Sequence, residues 1–143
     1  MRTLTPFVLL SVALLFTAGG CTDSGPQRVA VNGLVMFDGA PVEQGTIAFV
    51  PTAADAKQPG AGGPITAGEY AIPAETGPAA GKYRVEIRWS KPTGKQIEQG
   101  SPAPPGTMVE EVKEAIPAKY NVRSTLEKEI DAGENSIHFD LTS

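Results

Sequence analysis

The stretch KYRVEIRWS, residues 82–90, contains the clearest strand pattern in the sequence. Its apolar residues stand at every second position: Tyr83, Val85, Ile87 and Trp89. The residues between them are charged: Lys82, Arg84, Glu86 and Arg88. Because successive side chains of a strand point to opposite faces, this alternation predicts a half-buried antiparallel strand with one core face and one solvent face.

Two stretches upstream show the same period of two. VAVNGLVMF at 29–37 predicts a first strand, and GTIAFVP at 45–51 predicts a second one with Ile47 and Phe49 on its inner face. The stretch DGAP at 38–41 lies between them and combines Asp, Gly and Pro, which are typical turn residues. These segments therefore predict a hairpin that precedes the central strand.

The other strand predictions come from shorter patterns. ITAGEYAI at 65–72 predicts two very short strands about Gly68, whereas STLEKEI at 124–130 and SIHFDLT at 136–142 predict a final hairpin about the turn DAGEN. The expected inner residues are Ile65, Tyr70, Ile72, Leu126, Ile130, Ile137, Phe139 and Leu141. About seven short antiparallel strands with Gly- and Pro-rich connections predict an all-β fold, a β-sandwich.

Two segments lack any periodicity and are predicted to be long loops. They are residues 52–64 and residues 91–107, both rich in Gly and Pro. The segment 108–116 that follows the second loop has Val109, Val112 and Ile116 at roughly helical spacing. It predicts one amphipathic helical turn that ends at Pro117, although the pattern leaves helix or strand open.

The N-terminal residues predict export and a lipid anchor. Residues 1–20 combine one basic residue, an apolar run too short to span a membrane and a small-residue end, which is typical of a cleaved signal peptide. Cys21, the single cysteine, follows directly, and the segment resembles the lipobox of bacterial lipoproteins. The expected organisation is a lipidated tether at 21–28 and a β-sandwich domain at 29–143. An ordinary signal peptide followed by an incidental thiol is the alternative.

Charge restricts the class of partner. The chain has 16 acidic and 12 basic side chains, and Arg2 is the one charged residue of the predicted signal peptide. The rest of the chain therefore has a balance of minus five, from 16 acidic and 11 basic side chains. This balance argues against nucleic acid as a partner and against charge-driven adhesion to anionic lipid.

Three longer stretches carry a resemblance to a known family. They are VNGLVMFDGAPVEQGTIAFVP, then GEYAIP with GPAAGKYRVEI, and finally IPAKYN with STLEKEIDAGENSIHFDL. Together they resemble the small bacterial lipoproteins with a carboxypeptidase-regulatory-like, or transthyretin-like, domain. The resemblance implies a prealbumin-like (transthyretin-like or Ig-like) sandwich that serves as an accessory or binding module, with no shared catalytic residues to carry over.

The sequence offers few groups for catalysis or metal binding. His138 is the single histidine and is expected on the solvent face of its strand. With Cys21 assigned to the lipid and no second histidine, neither a cysteine–histidine pair nor a typical zinc site can be assembled from one chain. The cluster of Glu110, Glu111 and Glu114 includes Lys113, and we interpret it as a solvated face. We therefore expect no enzymatic activity, no metal and no cofactor.

The candidate partner-binding residues lie at the end of the central strand and in the second predicted loop. They are Trp89, Lys91, Lys95, Pro104 and Pro105. A core position for Trp89 and a spacer role for the loop are the alternatives. The expected function is a noncatalytic, lipid-anchored binding or structural module of the cell envelope, outside the cytoplasm, with an envelope protein or polysaccharide as partner. The alternative is a hydrolase or regulatory subunit of an envelope peptidase or polysaccharide-processing enzyme.

Overall fold

The structure, a computed structural model, describes residues 25–52 and 58–143. The predicted signal peptide at 1–20, the lipidation site Cys21 and the first part of the predicted tether lie outside the described residues. Part of the first predicted loop, residues 53–57, also lies outside them. Within the described residues the regular structure is strand, apart from one short 3₁₀ helix at Ala118–Tyr120.

The strands are numbered in chain order. They are β1 Val31–Phe37, β2 Ala40–Pro41, β3 Gln44–Pro51, β4 Ala61–Thr66, β5 Glu69–Ile72, β6 Gly81–Arg88, β7 Ser90–Glu98, β8 Met108–Glu114, β9 Glu127–Ile130, β10 Asn135–Ser136 and β11 Phe139–Leu141. The main sheet has the order β10-β1-β5-β4-β3-β6-β9, and β2 and β11 also pair with β1. Strands β7 and β8 form a separate two-stranded sheet.

The main sheet is strongly curled. At about 4.8 Å per strand, a flat sheet would place β1 roughly 19 Å from β6, which is four strands away. However, the rings of Phe37 at the end of β1 and Trp89 just after β6 lie edge to face with centroids 6.3 Å apart. The two ends of the sheet therefore face each other across the core. This all-β fold with antiparallel pairing is consistent with the predicted β-sandwich.

The predicted faces of the central strand are confirmed. Tyr83, Val85 and Ile87 are completely buried, whereas Lys82 and Arg88 are exposed. The inner residues expected on the other strands are also in or against the core: Ile47, Phe49, Ile65, Tyr70, Ile72, Leu126, Ile130, Ile137, Phe139 and Leu141. Alternation along each strand therefore identified the core correctly.

Neither predicted hairpin forms. The turn at 38–41 returns only the short β2 along β1, while β3 pairs with β4 and β6. The final hairpin is also wrong. Strand β9 pairs antiparallel with β6 at one edge of the sheet, while β10 and β11 pair parallel with β1 at the other edge. The connection between them is held by Asn135, which is buried and exchanges hydrogen bonds of 3.0 Å with the backbone of Asp131. Alternation predicts that a segment is a strand, but it does not specify the partner strand, and here the chain crosses between edges.

The first predicted loop is partly a strand. Residues 61–64 belong to β4, which pairs along β3 with Ile47 opposite Gly63 and Ala48 opposite Gly62. A Cβ at residue 62 would lie 2.7 Å from the carbonyl oxygen of Ile47, so glycine permits the close approach of the two strands. The glycines that predicted a loop therefore serve strand pairing.

The second predicted loop and the predicted helical turn are also wrong. Residues 90–98 form β7 and residues 108–114 form β8, so only residues 99–107 connect them. The helical spacing of Val109, Val112 and Ile116 does not correspond to a helix. The two valines belong to β8, whereas Ile116 lies beyond the end of that strand. An antiparallel partner gives both segments backbone hydrogen bonds that a short helix next to Pro117 would lack.

The segment between β8 and β9 is fixed by two buried polar residues. Asn121 donates from Nδ2 to the carbonyl of Ile116 at 3.1 Å, and Ser124 donates from its hydroxyl to the carbonyl of Val85. The Ser124 hydroxyl also accepts the N–H of Leu126 at 3.2 Å. Because the buried side chains are hydrogen-bonded, this non-repetitive segment can pack against β6 at little cost.

Candidate functional site

The most prominent surface feature is the β-ribbon formed by residues 90–114, which comprises β7, the connection at 99–107 and β8. Its strands pair with each other from Ser90 opposite Glu114 to Glu98 opposite Met108, and with no other strand among the described residues. Nine residues of β7 extend over about 30 Å at roughly 3.4 Å per residue. The ribbon therefore stands off the body of the domain.

The base of the ribbon is rooted in the core. Trp89 and Ile116, on either side of the base, are buried, and the N–H of Ala115 donates to the carbonyl of Trp89 at 2.7 Å. The carboxylate of Glu114 accepts the N–H of Trp89 at 2.7 Å. The ammonium of Lys91 lies 3.8 Å from the centre of the Trp89 ring. Trp89 is thus a buried anchor of the ribbon, and Lys91 is the exposed residue that covers its ring.

The middle of β7 is irregular. The pairing register shifts between Pro92 and Gln96, and Gly94 has a φ of +76°. The hydroxyl of Thr93 donates to the carboxylate of Glu111 on β8 at 2.7 Å, which ties the irregular segment to its partner strand. Lys95, one of the candidate binding residues, is exposed in this segment.

The tip of the ribbon, residues 99–107, is held by its own hydrogen bonds. The N–H of Gln99 donates to the carbonyl of Thr107 at 2.7 Å, and the N–H of Gly106 donates to the carboxylate of Glu98 at 2.7 Å. Pro104 and Pro105 are exposed on this tip. The structure therefore spreads the candidate residues along the ribbon, with Lys91 at the base, Lys95 in the middle and the prolines at the tip.

Sequence reasoning missed the apolar side chains of the ribbon. Ile97, Met108 and Val112 are 44%, 54% and 60% exposed. Met108 and Val112 lie on one face of β8, and Ile97 lies opposite Val109 on the other face. The stretch MVEEVKE at 108–114 does not alternate, and the spacing of its valines suggested a helix.

A groove of about 770 Å³ lies on the outer face of the sheet, where β1, β4 and β5 run side by side. Its lining includes Leu34, Pro64, Thr66, Glu69 and His138. Small residues in this part of the sheet leave a depression between the larger side chains. His138 is exposed, as the sequence predicted for a histidine on the solvent face of its strand.

An unusual backbone arrangement places His138 at this groove. In a regular parallel ladder the N–H of Leu34 would donate to the carbonyl of Ile137. That carbonyl instead lies over Gly33 and accepts the buried hydroxyl of Tyr70 at 2.9 Å. The N–H of Leu34 donates to Nδ1 of His138 at 3.0 Å. The proton of the neutral imidazole is therefore on Nε2, which leaves that nitrogen as a hydrogen-bond donor.

Tyr70 is held in its neutral form. Burial raises the pKa of its hydroxyl far above the ordinary range of tyrosine, because the phenolate would lose its hydration inside the core. As a neutral group it donates to the carbonyl of Ile137. Tyr70 therefore serves as a fixed donor that sets the orientation of the peptide between Ile137 and His138.

Other kinds of site receive little support in the part of the chain that the structure describes. No group of three or more His, Cys, Asp or Glu residues there is placed to hold a metal ion. None of the helices in that part is long and apolar enough to cross a membrane.

Comparisons with known proteins add one distant likeness. No family model matches the chain, and no curated protein matches its sequence. Among solved structures the chain is similar to a 9R-lipoxygenase from Cyanothece PCC8801, at 12% sequence identity and a TM-score of 0.37. The match covers 82% of this chain and 16% of the lipoxygenase chain. A likeness at this TM-score supports no conclusion about fold or activity.

Proposed function

We propose that this protein is a noncatalytic, lipid-anchored binding module of the bacterial cell envelope. In this proposal residues 1–20 are a signal peptide, Cys21 is the lipidated N-terminus, and residues 29–143 form a carboxypeptidase-regulatory-like domain with a prealbumin-like sandwich. The observation that supports a binding function is the ribbon at 90–114, which presents Ile97, Met108 and Val112 to solvent.

The exposed apolar side chains of Ile97, Met108 and Val112 on the projecting ribbon favour a binding role. A two-stranded ribbon is marginally stable alone, and apolar side chains gain stability when they are covered. On this ribbon both faces carry such side chains, so a partner that covers one or both would bury substantial apolar area. A purely structural spacer would have no need for them.

The test uses the lipidated full-length chain as bait in detergent-solubilised envelope. Replacing Ile97 and Val112 together by Thr keeps β-branched residues in the strands while it removes apolar surface. We expect this double variant to lose the captured envelope partner. Val122→Thr is the matched control, because Val122 is 61% exposed and lies outside the ribbon and the groove. Equal capture by wild type and the double variant would contradict a binding role for the ribbon.

A further inference from the structure

The two lateral edges of the ribbon differ in their ability to accept another strand. On β7, Pro92 has no N–H to donate, and the segment 93–95 departs from regular pairing with Gly94 at a φ of +76°. Lys91 and Lys95 add exposed charge to the same strand. Proline, irregular pairing and lysine are the features by which edge strands avoid further pairing. The β7 edge is therefore protected.

The β8 edge has less of this protection, because its one lysine, Lys113, is accompanied by neither proline nor irregular pairing. Residues 108–114 include no Pro or Gly, and the extra residues of the register shift belong to β7, where 93–95 lie across from Glu111 alone. The side chains of β8 are mostly exposed along its whole length. Among the described residues, β7 is the one strand that pairs with β8, and a regular strand of seven residues with an unpaired outer edge can accept an added strand through backbone hydrogen bonds.

The charges of β8 indicate which segment fits. The strand has three glutamates and one lysine, a balance of minus two. Glu111 accepts a hydrogen bond from Thr93, and Glu114 accepts the N–H of Trp89, so both are engaged within the ribbon. Both ion pairs among the described residues are made by Glu86, which leaves Glu110 without one. Glu110 shares a face with its second neighbours, the exposed Met108 and Val112.

A second copy of β8 fits this edge poorly. A symmetric antiparallel pair centred on Glu110 or on Glu111 would place that glutamate opposite itself. A pair centred on Val112 would place Glu110 opposite Glu114, which offsets the attraction of Glu111 opposite Lys113, and a pair centred on Lys113 would place two lysines opposite each other. Like charges directly opposite each other destabilise a strand pair, so the charge pattern disfavours self-association through β8.

We infer that the outer edge of β8 binds an extended segment of another protein that has a basic residue between two apolar ones at alternate positions. The segment adds a third strand to the ribbon, with its basic side chain at Glu110 and its apolar side chains at Met108 and Val112. This inference rests on the proposed binding function and specifies the chemistry of the partner. Opposite charges at facing positions and apolar contacts on both sides give the edge its preference.

The experiment uses two end-capped heptapeptides and the full isotope-labelled chain in mild detergent at low ionic strength. One peptide has Lys at its centre, Val two positions to either side and Thr elsewhere; the other has Glu at the centre. We expect the Lys peptide to bind about five-fold or more tightly than the Glu peptide. Its binding should shift the backbone amide signals of 108–114 more than those of the β7 edge.

Two variants test the role of Glu110. Glu110→Lys should reverse the preference between the peptides. Glu75→Lys, the same charge change at an exposed turn of the body, should keep it. Equal affinity for both peptides, or shifts centred on β7, would overturn the inference even if the ribbon still captured an envelope partner. Concentration-dependent loss of β8 signals without peptide would mean self-pairing and would overturn it as well.

Discussion

At the scale of single residues, Gly33 determines how the end of the chain lies on β1. The carbonyl of Ile137 occupies the space where a side chain at position 33 would begin, and Cε1 of Tyr70 lies 3.1 Å from the same point. The hydrogen bonds of Tyr70 and His138 both depend on this arrangement. Because Gly33 has no side chain, the Ile137 peptide can take this orientation. The Tyr70 hydroxyl and the His138 imidazole are positioned by the hydrogen bonds that follow from it.

The first prediction follows from this contact. Gly33→Ala should lower the free energy of unfolding by about 2 kcal/mol or more, because the new methyl group forces the Ile137 carbonyl away from Tyr70. Gly133→Ala is the control, since no atom lies within 4 Å of a Cβ there. Urea unfolding followed by circular dichroism provides both values. A loss at position 133 as large as that at position 33 would show that the contact is not the cause.

The second prediction compares the two faces of β6. Ile87→Ala should cost about 2 to 4 kcal/mol of unfolding free energy, because the side chain is fully buried and its removal leaves a cavity. Arg84→Ala should cost less than about 1 kcal/mol, because the Arg84 side chain is 43% exposed in its 2.7 Å ion pair with Glu86, and Glu86 keeps a second partner in Arg88. The same urea experiment measures both. A larger cost at Arg84 would mean that the outer ion pairs, rather than the core, stabilise this strand.

At the scale of elements, the ribbon shows which strands the alternation of apolar and polar residues predicts and which it does not. The pattern of residues 82–90 was sufficient to place a strand and both of its faces. In residues 91–98 the Pro and Gly residues suggested a loop, although they are located at an irregular, protected edge. Since a strand with both faces in solvent needs no apolar stripe, its sequence lacks the signal on which periodicity depends.

The candidate site was predicted only in part for the same reason. Lys91, Lys95 and the two prolines were identified from composition, and all of them are exposed on the ribbon. Ile97, Met108 and Val112 were missed because their exposure follows from the pairing of β7 with β8. Likewise, the groove depends on Gly33 and on the peptide orientation at Ile137, which no local pattern reveals.

The third prediction concerns the independence of the ribbon. Replacing residues 91–113 by Asn-Gly keeps the Ser90–Glu114 pair and closes it with a turn suited to a two-residue hairpin. The melting temperature should change by only a few degrees, because the ribbon is anchored through Trp89 and Ile116, which are retained. A collapse of the melting temperature in the closed variant would show that the ribbon supports the body.

At the scale of the whole molecule, the fourth prediction concerns attachment. Val29 is the first buried residue of the described chain, and residues 25–28 before it are exposed. If Cys21 carries the lipid, Cys21→Ser should move the protein from the membrane fraction to the soluble fraction with loss of the acyl mass. Fractionation with intact-mass spectrometry measures both. A Cys21→Ser protein that stays in the membrane fraction and keeps its mass would refute lipid attachment at this residue.

The parallel pairing of β1 with β10 and β11 also determines when the protein can fold. Val35, near the start of the domain, meets Phe139, near its end, so β1 lacks one neighbour until the last residues are available. Contacts this distant in sequence make folding slow. A chain still being synthesised has β1 open on one side until residues 135–141 have been added. The arrival of β10 and β11 beside β1 is therefore the event that permits the domain to close.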